Sequence, residues 1–70
     1  MTVGTRIRKA RQALGMSQAE LAELLEVEQA TVSRWESGER EPRLTTLAAI
    51  AAAVDRDLVY FFEDSEEAVA

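Results

Sequence analysis

With 70 residues the chain has apolar material for a single core and buries roughly 60% of its unfolded surface, which excludes a second folded domain. At 47% hydrophobic and 30% charged residues it is too apolar for a disordered chain, and having no Cys and no His it lacks disulfides, a cysteine nucleophile, a histidine base and the usual zinc ligands. Eight basic against thirteen acidic side chains leave a net charge of -5, spread unevenly: Arg6, Arg8, Lys9 and Arg11 open the chain without an acid, while Glu63, Asp64, Glu66 and Glu67 crowd its end. Nucleic-acid binding would therefore need a local basic face rather than a basic protein.

Val3, Ile7, Ala10 and Leu14 lie on one stripe of a first helix, with Thr2 as N-cap and Gly15 as the stop. Ser17-Gln18-Ala19-Glu20 is a capping box, and Leu21, Ala22 and Leu25 give the helix over 18–25 a short apolar face. Glu26-Val27-Glu28 interrupts the pattern; Ala30, Thr31, Val32 and Trp35 resume it in a third helix over 29–37, ended by Ser37-Gly38. Gly38-Glu39-Arg40-Glu41-Pro42 reads as a loop. Leu44, Leu47, Ile50, Ala51 and Val54 mark a fourth helix over 44–54, and Leu58-Val59-Tyr60-Phe61-Phe62, which Asp57 can cap, reads as a brief fifth. No strand-like alternation or repeat is present, so the expected fold is all-α: a compact five-helix bundle over 1–62, followed by a frayed acidic tail over 63–70. No apolar run approaches the roughly 18 residues of a membrane span, and the opening residues lack a signal-peptide core, which points to a cytoplasmic protein without membrane contact.

Gly15-Met16-Ser17-Gln18-Ala19-Glu20-Leu21-Ala22, then Val27, Thr31-Val32-Ser33-Arg34-Trp35-Glu36-Ser37-Gly38 and Pro42 closely resemble the phage-repressor and Cro-like (XRE-type) helix-turn-helix family, also described as lambda-repressor-like. The resemblance covers roughly residues 3–62. It implies five packed helices, of which the second and third form the helix-turn-helix and the third enters the major groove of double-stranded DNA. It also implies that Gln18 bonds phosphate and can brace Gln29 of the third helix, and that Arg40 and Arg43 follow the DNA backbone. Arg6, Arg8 and Lys9 are weaker candidates for that task. Arg11 and Glu36 take positions that in the family form a partly buried salt bridge.

The residues themselves are suited to such a role. Gln29, Thr31, Ser33 and Arg34 offer an amide, two hydroxyls and a guanidinium along one helix edge. A Gln amide can bond adenine N6 and N7 together, and a Thr methyl can touch a thymine methyl. The same side chains would equally serve as a solvated helix face; it is their place in the motif that favours readout. Trp35 and Met16 read as core, Ser17 and Glu20 as a cap.

Several residues depart from the family pattern. Glu26 stands where Gly is usual, at a turn that favours positive φ. Glu28 replaces Ser or Thr at the start of the third helix, where its carboxylate can cap the helix, repel phosphate or accept a hydrogen bond from cytosine N4. Arg43 takes a capping Ser position, and Asp55-Arg56 replaces Gly-Val. Val59, Tyr60 and Phe62 make the fifth helix unusually apolar, and are expected to form a homodimer patch unless they cover the open end of the first helix.

The expectation is a sequence-specific DNA-binding transcriptional regulator, a repressor acting as a dimer on a two-fold operator, with no catalysis, metal or cofactor. The alternative is a protein-interaction module of the same fold, such as an antitoxin or a coactivator-like component, engaging a partner through the fifth helix or the acidic tail. An enzyme ranks third, because the best carboxylate cluster lies in that tail, where no core could preorganise it.

Overall fold

The computed structural model describes residues 2–63. Four α-helices occur in the order α1 (Val3–Ala13), α2 (Gln18–Leu25), α3 (Gln29–Ser37) and α4 (Leu44–Ala53), followed by a 3-10 helix at Leu58–Phe61. The expected five-helix bundle is thus corrected to four helices and a 3-10 turn. Four residues are too few to repeat α-helical hydrogen bonds, and the segment closes instead through Tyr60 N–H to Asp57 C=O (3.0 Å) and Phe62 N–H to Val59 C=O (2.9 Å). The Asp57 side chain makes no cap bond to it. Residues 64–70, with Asp64, Glu66 and Glu67 of the expected acidic tail, lie outside the described residues.

Capping chemistry sets the helix starts. The Thr2 hydroxyl accepts the Thr5 N–H at 3.1 Å. At α2 both halves of the capping box are formed, the Glu20 N–H to Ser17 Oγ at 3.0 Å and the Ser17 N–H to Glu20 Oε1 at 2.8 Å. That backbone N–H, helped by the Ser17 hydroxyl, holds the Glu20 carboxyl below its ordinary range.

The ends of α1, α2 and α4 share one geometry. After α1 the chain turns on Gly15 (φ 68°), with the Met16 N–H reaching back to Arg11 C=O (3.1 Å) and the Gly15 N–H to Gln12 C=O (2.9 Å). This is the Schellman pattern, in which a left-handed residue lets two following amides satisfy the last carbonyls. Glu26 and Asp55, both at φ 59°, repeat it after α2 and α4, with the Val27 N–H on Ala22 C=O (3.0 Å) and the Arg56 N–H on Ala51 C=O (2.9 Å). The turn between α2 and α3 therefore keeps the form a glycine would give it, with a glutamate held in a conformation L side chains disfavour. Glu26→Gly is expected to raise the unfolding free energy by about 1 kcal/mol, strain relief outweighing the added chain entropy. The readout is a higher urea midpoint at unchanged slope.

Ile7 and Ala10 of α1, Leu21 and Ala22 of α2, Val32 and Trp35 of α3, Leu47, Ile50 and Ala51 of α4, Val54 and Phe61 form the core. α1 and α2 both pack on α3, α4 packs on α2, and the 3-10 helix closes against α1 and α4. Met16, Leu25 and Leu58 are half-buried at its edge. Leu14 and Leu44, read from spacing as stripe residues, are exposed instead; Leu14 is the C-cap of α1 and Leu44 the first residue of α4. Among the described residues no helix is long and apolar enough to cross a membrane.

Candidate nucleic-acid interface

The amphipathic split of α3 builds the site. Val32 and Trp35 are buried, leaving Gln29, Ser33 and Arg34 exposed and Thr31 half-buried on the remaining surface. Thr31 shares a shallow hollow with Trp35, Arg40, Pro42, Arg43 and Thr46, so α3 and the loop leading into α4 present one continuous surface. Gln29 lines a second hollow with Ala19, Glu20, Glu23 and Val27, between α2 and α3. Six of the expected site residues, Gln29, Thr31, Ser33, Arg34, Arg40 and Arg43, thus lie on α3 and the loop that follows it. Arg34 carries a loose exposed ion pair to Glu39 (3.7 Å), worth little in water and easily exchanged.

A buried carboxylate fixes the relative pose of α2 and α3. Glu36 is 4% exposed; it accepts Arg11 Nε at 2.6 Å on Oε2 and Arg11 Nη2 at 2.9 Å on Oε1, a bidentate pair. Arg11 Nη1 also donates to the Met16 carbonyl at 2.7 Å, tying down the turn before α2. Gln18 Nε2 donates to Glu36 Oε1 at 3.0 Å, and Arg8 Nε stands 3.5 Å from the same oxygen. One carboxylate thereby joins α1, the first residue of α2 and the end of α3. Burial acts to raise the Glu36 pKa, but the hydrogen bonds from Arg11 and Gln18 and the Arg11 charge outweigh it and hold the carboxyl below its ordinary value. The hydrogen bond to Glu36 raises Arg11 in turn, against the effect of burial.

Two features correct what the sequence implied for Gln18 and for the basic opening. The Gln18 amide is directed to Glu36 at the end of α3 rather than to Gln29. Arg6 is only 7% exposed: its Nη2 donates to the Glu63 carbonyl at 2.7 Å, and its guanidinium lies 4.9 Å from the centre of the Tyr60 ring. It holds the Tyr60 ring and the Glu63 carbonyl and is unavailable to a DNA backbone. Arg56 stacks on the same ring at 5.3 Å. Tyr60 is consequently half-buried, and of the three residues of the expected dimer patch only Val59 and Phe62 are exposed.

Glu28 lies at the N-cap of α3 and Arg43 at that of α4, and neither side chain makes a cap bond. Sequence reasoning missed Gly4, the small residue that lets α1 approach the α3 backbone. A Cβ built there would lie 2.8 Å from the Glu36 carbonyl oxygen and closer still to that of Trp35. A glycine inside an otherwise helical pattern was the available signal.

The helix-turn-helix family model matches residues 7–61. Uncharacterised helix-turn-helix-type transcriptional regulators of Rickettsia conorii and Rickettsia prowazekii are each 36% identical over 66 residues, which is 94% of this chain and 53% and 51% of theirs. The chain thus spans about half the length of the curated relatives it matches. The solution structure of the DNA-binding domain of the P22 C2 repressor superposes with a TM-score of 0.85 at 32% identity, over 89% of this chain and 82% of that one. The same repressor in complex with a synthetic operator gives 0.81 at 33% identity, over 87% and 92%. SinR of Bacillus subtilis, in complex with DNA, gives 0.82 at 27% identity, over 89% and 100%. With its α2–α3 pair, its Glu36 clamp and a family match over most of its length, the chain belongs to the helix-turn-helix family of phage-repressor (XRE) type.

Proposed function

We propose that this chain is a sequence-specific DNA-binding transcriptional regulator, a repressor that lays α3 in the major groove of a two-fold operator as a homodimer. The observation that carries this reading is the exposed edge of Gln29, Ser33 and Arg34 on a helix whose opposite side is anchored by Val32, Trp35 and Glu36. A helix held on one side and polar on the other can enter a groove without reorganising. The resemblance to a repressor bound to its operator supports the same pose.

In this pose Gln29 reads a base edge, with Thr31, Ser33 and Arg34 along the same helix edge, while Gln18, Arg40 and Arg43 contact phosphates, which position the domain without choosing sequence. Val59 and Phe62 join two copies, so that the recognition helices stand roughly 34 Å apart, one turn of DNA. No residue has a catalytic role, and the protein acts on DNA in the cytoplasm.

Selection of binding sites from a random duplex pool, followed by titration at several salt concentrations, tests the proposal. The expected result is an inverted repeat and a steep loss of affinity with salt, as basic side chains displace condensed counterions. Gln29→Ala should relax preference at one base pair per half-site by about tenfold. Arg40→Ala and Arg43→Ala should weaken all sequences alike and each lower the salt slope by about one. If a folded sample enriches no sequence, the exposed Val59 and Phe62 favour the alternative of a protein-interaction module.

A further inference from the structure

α3 begins on a carboxylate that has no hydrogen-bond or ion-pair partner among the described residues. Glu28 is exposed, with φ -78° and ψ 150°. Its backbone carbonyl accepts the Thr31 N–H at 2.9 Å, but its side chain makes no cap bond, unlike those of Thr2 and Ser17. The ion pairs among the described residues lie elsewhere, from Arg8 and Arg11 to Glu36 and from Arg34 to Glu39. Gln29 and Ala30 follow it and are exposed, and the lone methyl of Ala30 leaves the first turn of α3 open to close approach.

Charge divides this surface in two. The arginines Arg34, Arg40 and Arg43 lie in the second half of α3 and the loop beyond it, interleaved with Glu39 and Glu41, whereas Glu23, Glu26 and Glu28 gather at the end of α2 and the start of α3 with no basic residue among them. The mixed region still offers arginines to phosphates, while the uncompensated acids of the second repel them, which leaves base edges as the DNA surface that the start of α3 can accept.

A carboxylate only accepts hydrogen bonds. In the major groove guanine offers the acceptors N7 and O6, thymine offers O4 and a methyl, and adenine sets its N6 donor beside the N7 acceptor; cytosine presents the N4 donor with no acceptor beside it on its own edge. We propose that Glu28 is a specificity-determining residue that selects cytosine in each half-site, next to the base pair read by Gln29. This rests on the DNA-binding reading above and deepens it.

The test repeats the random-pool selection with the unaltered chain, Glu28→Ala and Glu28→Gln in parallel, after thermal melting has shown the three to be equally folded, as the absent cap bond implies. The unaltered chain should enrich cytosine at one position beside the Gln29-dependent pair. In Glu28→Ala that preference should fall by about tenfold while other positions keep theirs. In Glu28→Gln it should move toward adenine, whose N6 and N7 match an amide. If Glu28→Ala instead tightens binding to every sequence equally and leaves base preferences unchanged, Glu28 is only a repulsive charge and the inference is overturned. Failure of the unaltered chain to enrich any sequence would overturn the DNA-binding reading itself, and the inference with it; enrichment without a Glu28-dependent cytosine would overturn the inference alone.

Discussion

Arg11→Ala is expected to cost about 3–5 kcal/mol of folding stability, because it leaves the Glu36 carboxylate buried without its bidentate partner. That is comparable with the whole stability of a domain this size, so the variant should be largely unfolded in dilute urea. The Met16 carbonyl loses its donor as well. Arg8 cannot take over, since it is half exposed and stands 3.5 Å away. The control is the double replacement Arg11→Met with Glu36→Leu, which removes both charges and should recover at least half of the loss. Urea unfolding of the unaltered chain and the two variants checks this, and an Arg11→Ala loss below about 1 kcal/mol would show that the pair is solvated rather than buried.

The same pair makes stability depend on pH. Glu36 has a lower pKa folded than unfolded, so the unfolded chain binds the proton more readily and stability falls as pH is lowered. The contribution is fully present above the ordinary value of 4.5 and is lost as pH falls through the lowered folded value. Unfolding midpoints measured downward from pH 6 should show a slope below pH 4.5 that Glu36→Gln reduces.

The parts of this architecture that depend on neighbours in the chain were legible in the sequence. The capping box at Ser17 and Glu20, the stop at Gly15 and the bounds of α2 and α3 follow from local hydrogen bonds, and the structure repeats them. What escaped depends on distant residues. Arg6 reads as a surface cation beside Arg8 and Lys9 until the chain returns and places Tyr60 and Glu63 against it. Leu58–Phe61 is apolar enough for a helix but too short to hold one, because Asp55 turns the chain before it and Phe62 ends it. Gln18 could be assigned to the helix-turn-helix by motif, but its bond to Glu36 depends on how α2 crosses α3. The left-handed turn at Glu26 could be suspected from the family pattern, and only the structure shows that the glutamate adopts it.

Gly4→Ala should be the most disruptive change of a single methyl in the domain. In an ordinary helix interior alanine is favoured over glycine by about 1 kcal/mol, so propensity alone forecasts a gain. Here the added Cβ would meet backbone, the carbonyl oxygens of Trp35 and Glu36, with the second at 2.8 Å. Backbone at the end of a packed helix cannot rotate aside as a side chain can, so α1 must lift from α3. Lifting α1 stretches the Arg11–Glu36 pair and opens the contact between Ile7 and the core. The expected net cost is about 3 kcal/mol, the upper range for overpacking, despite the propensity gain. Urea unfolding measures it, with a Lys9→Ala variant on the exposed side of α1 as reference. If the proposed DNA pose is right, the surviving folded fraction should also bind operator more weakly, since α1 helps set the angle of α3. A stabilised Gly4→Ala variant would show that α1 sits farther from the α3 backbone than this packing requires.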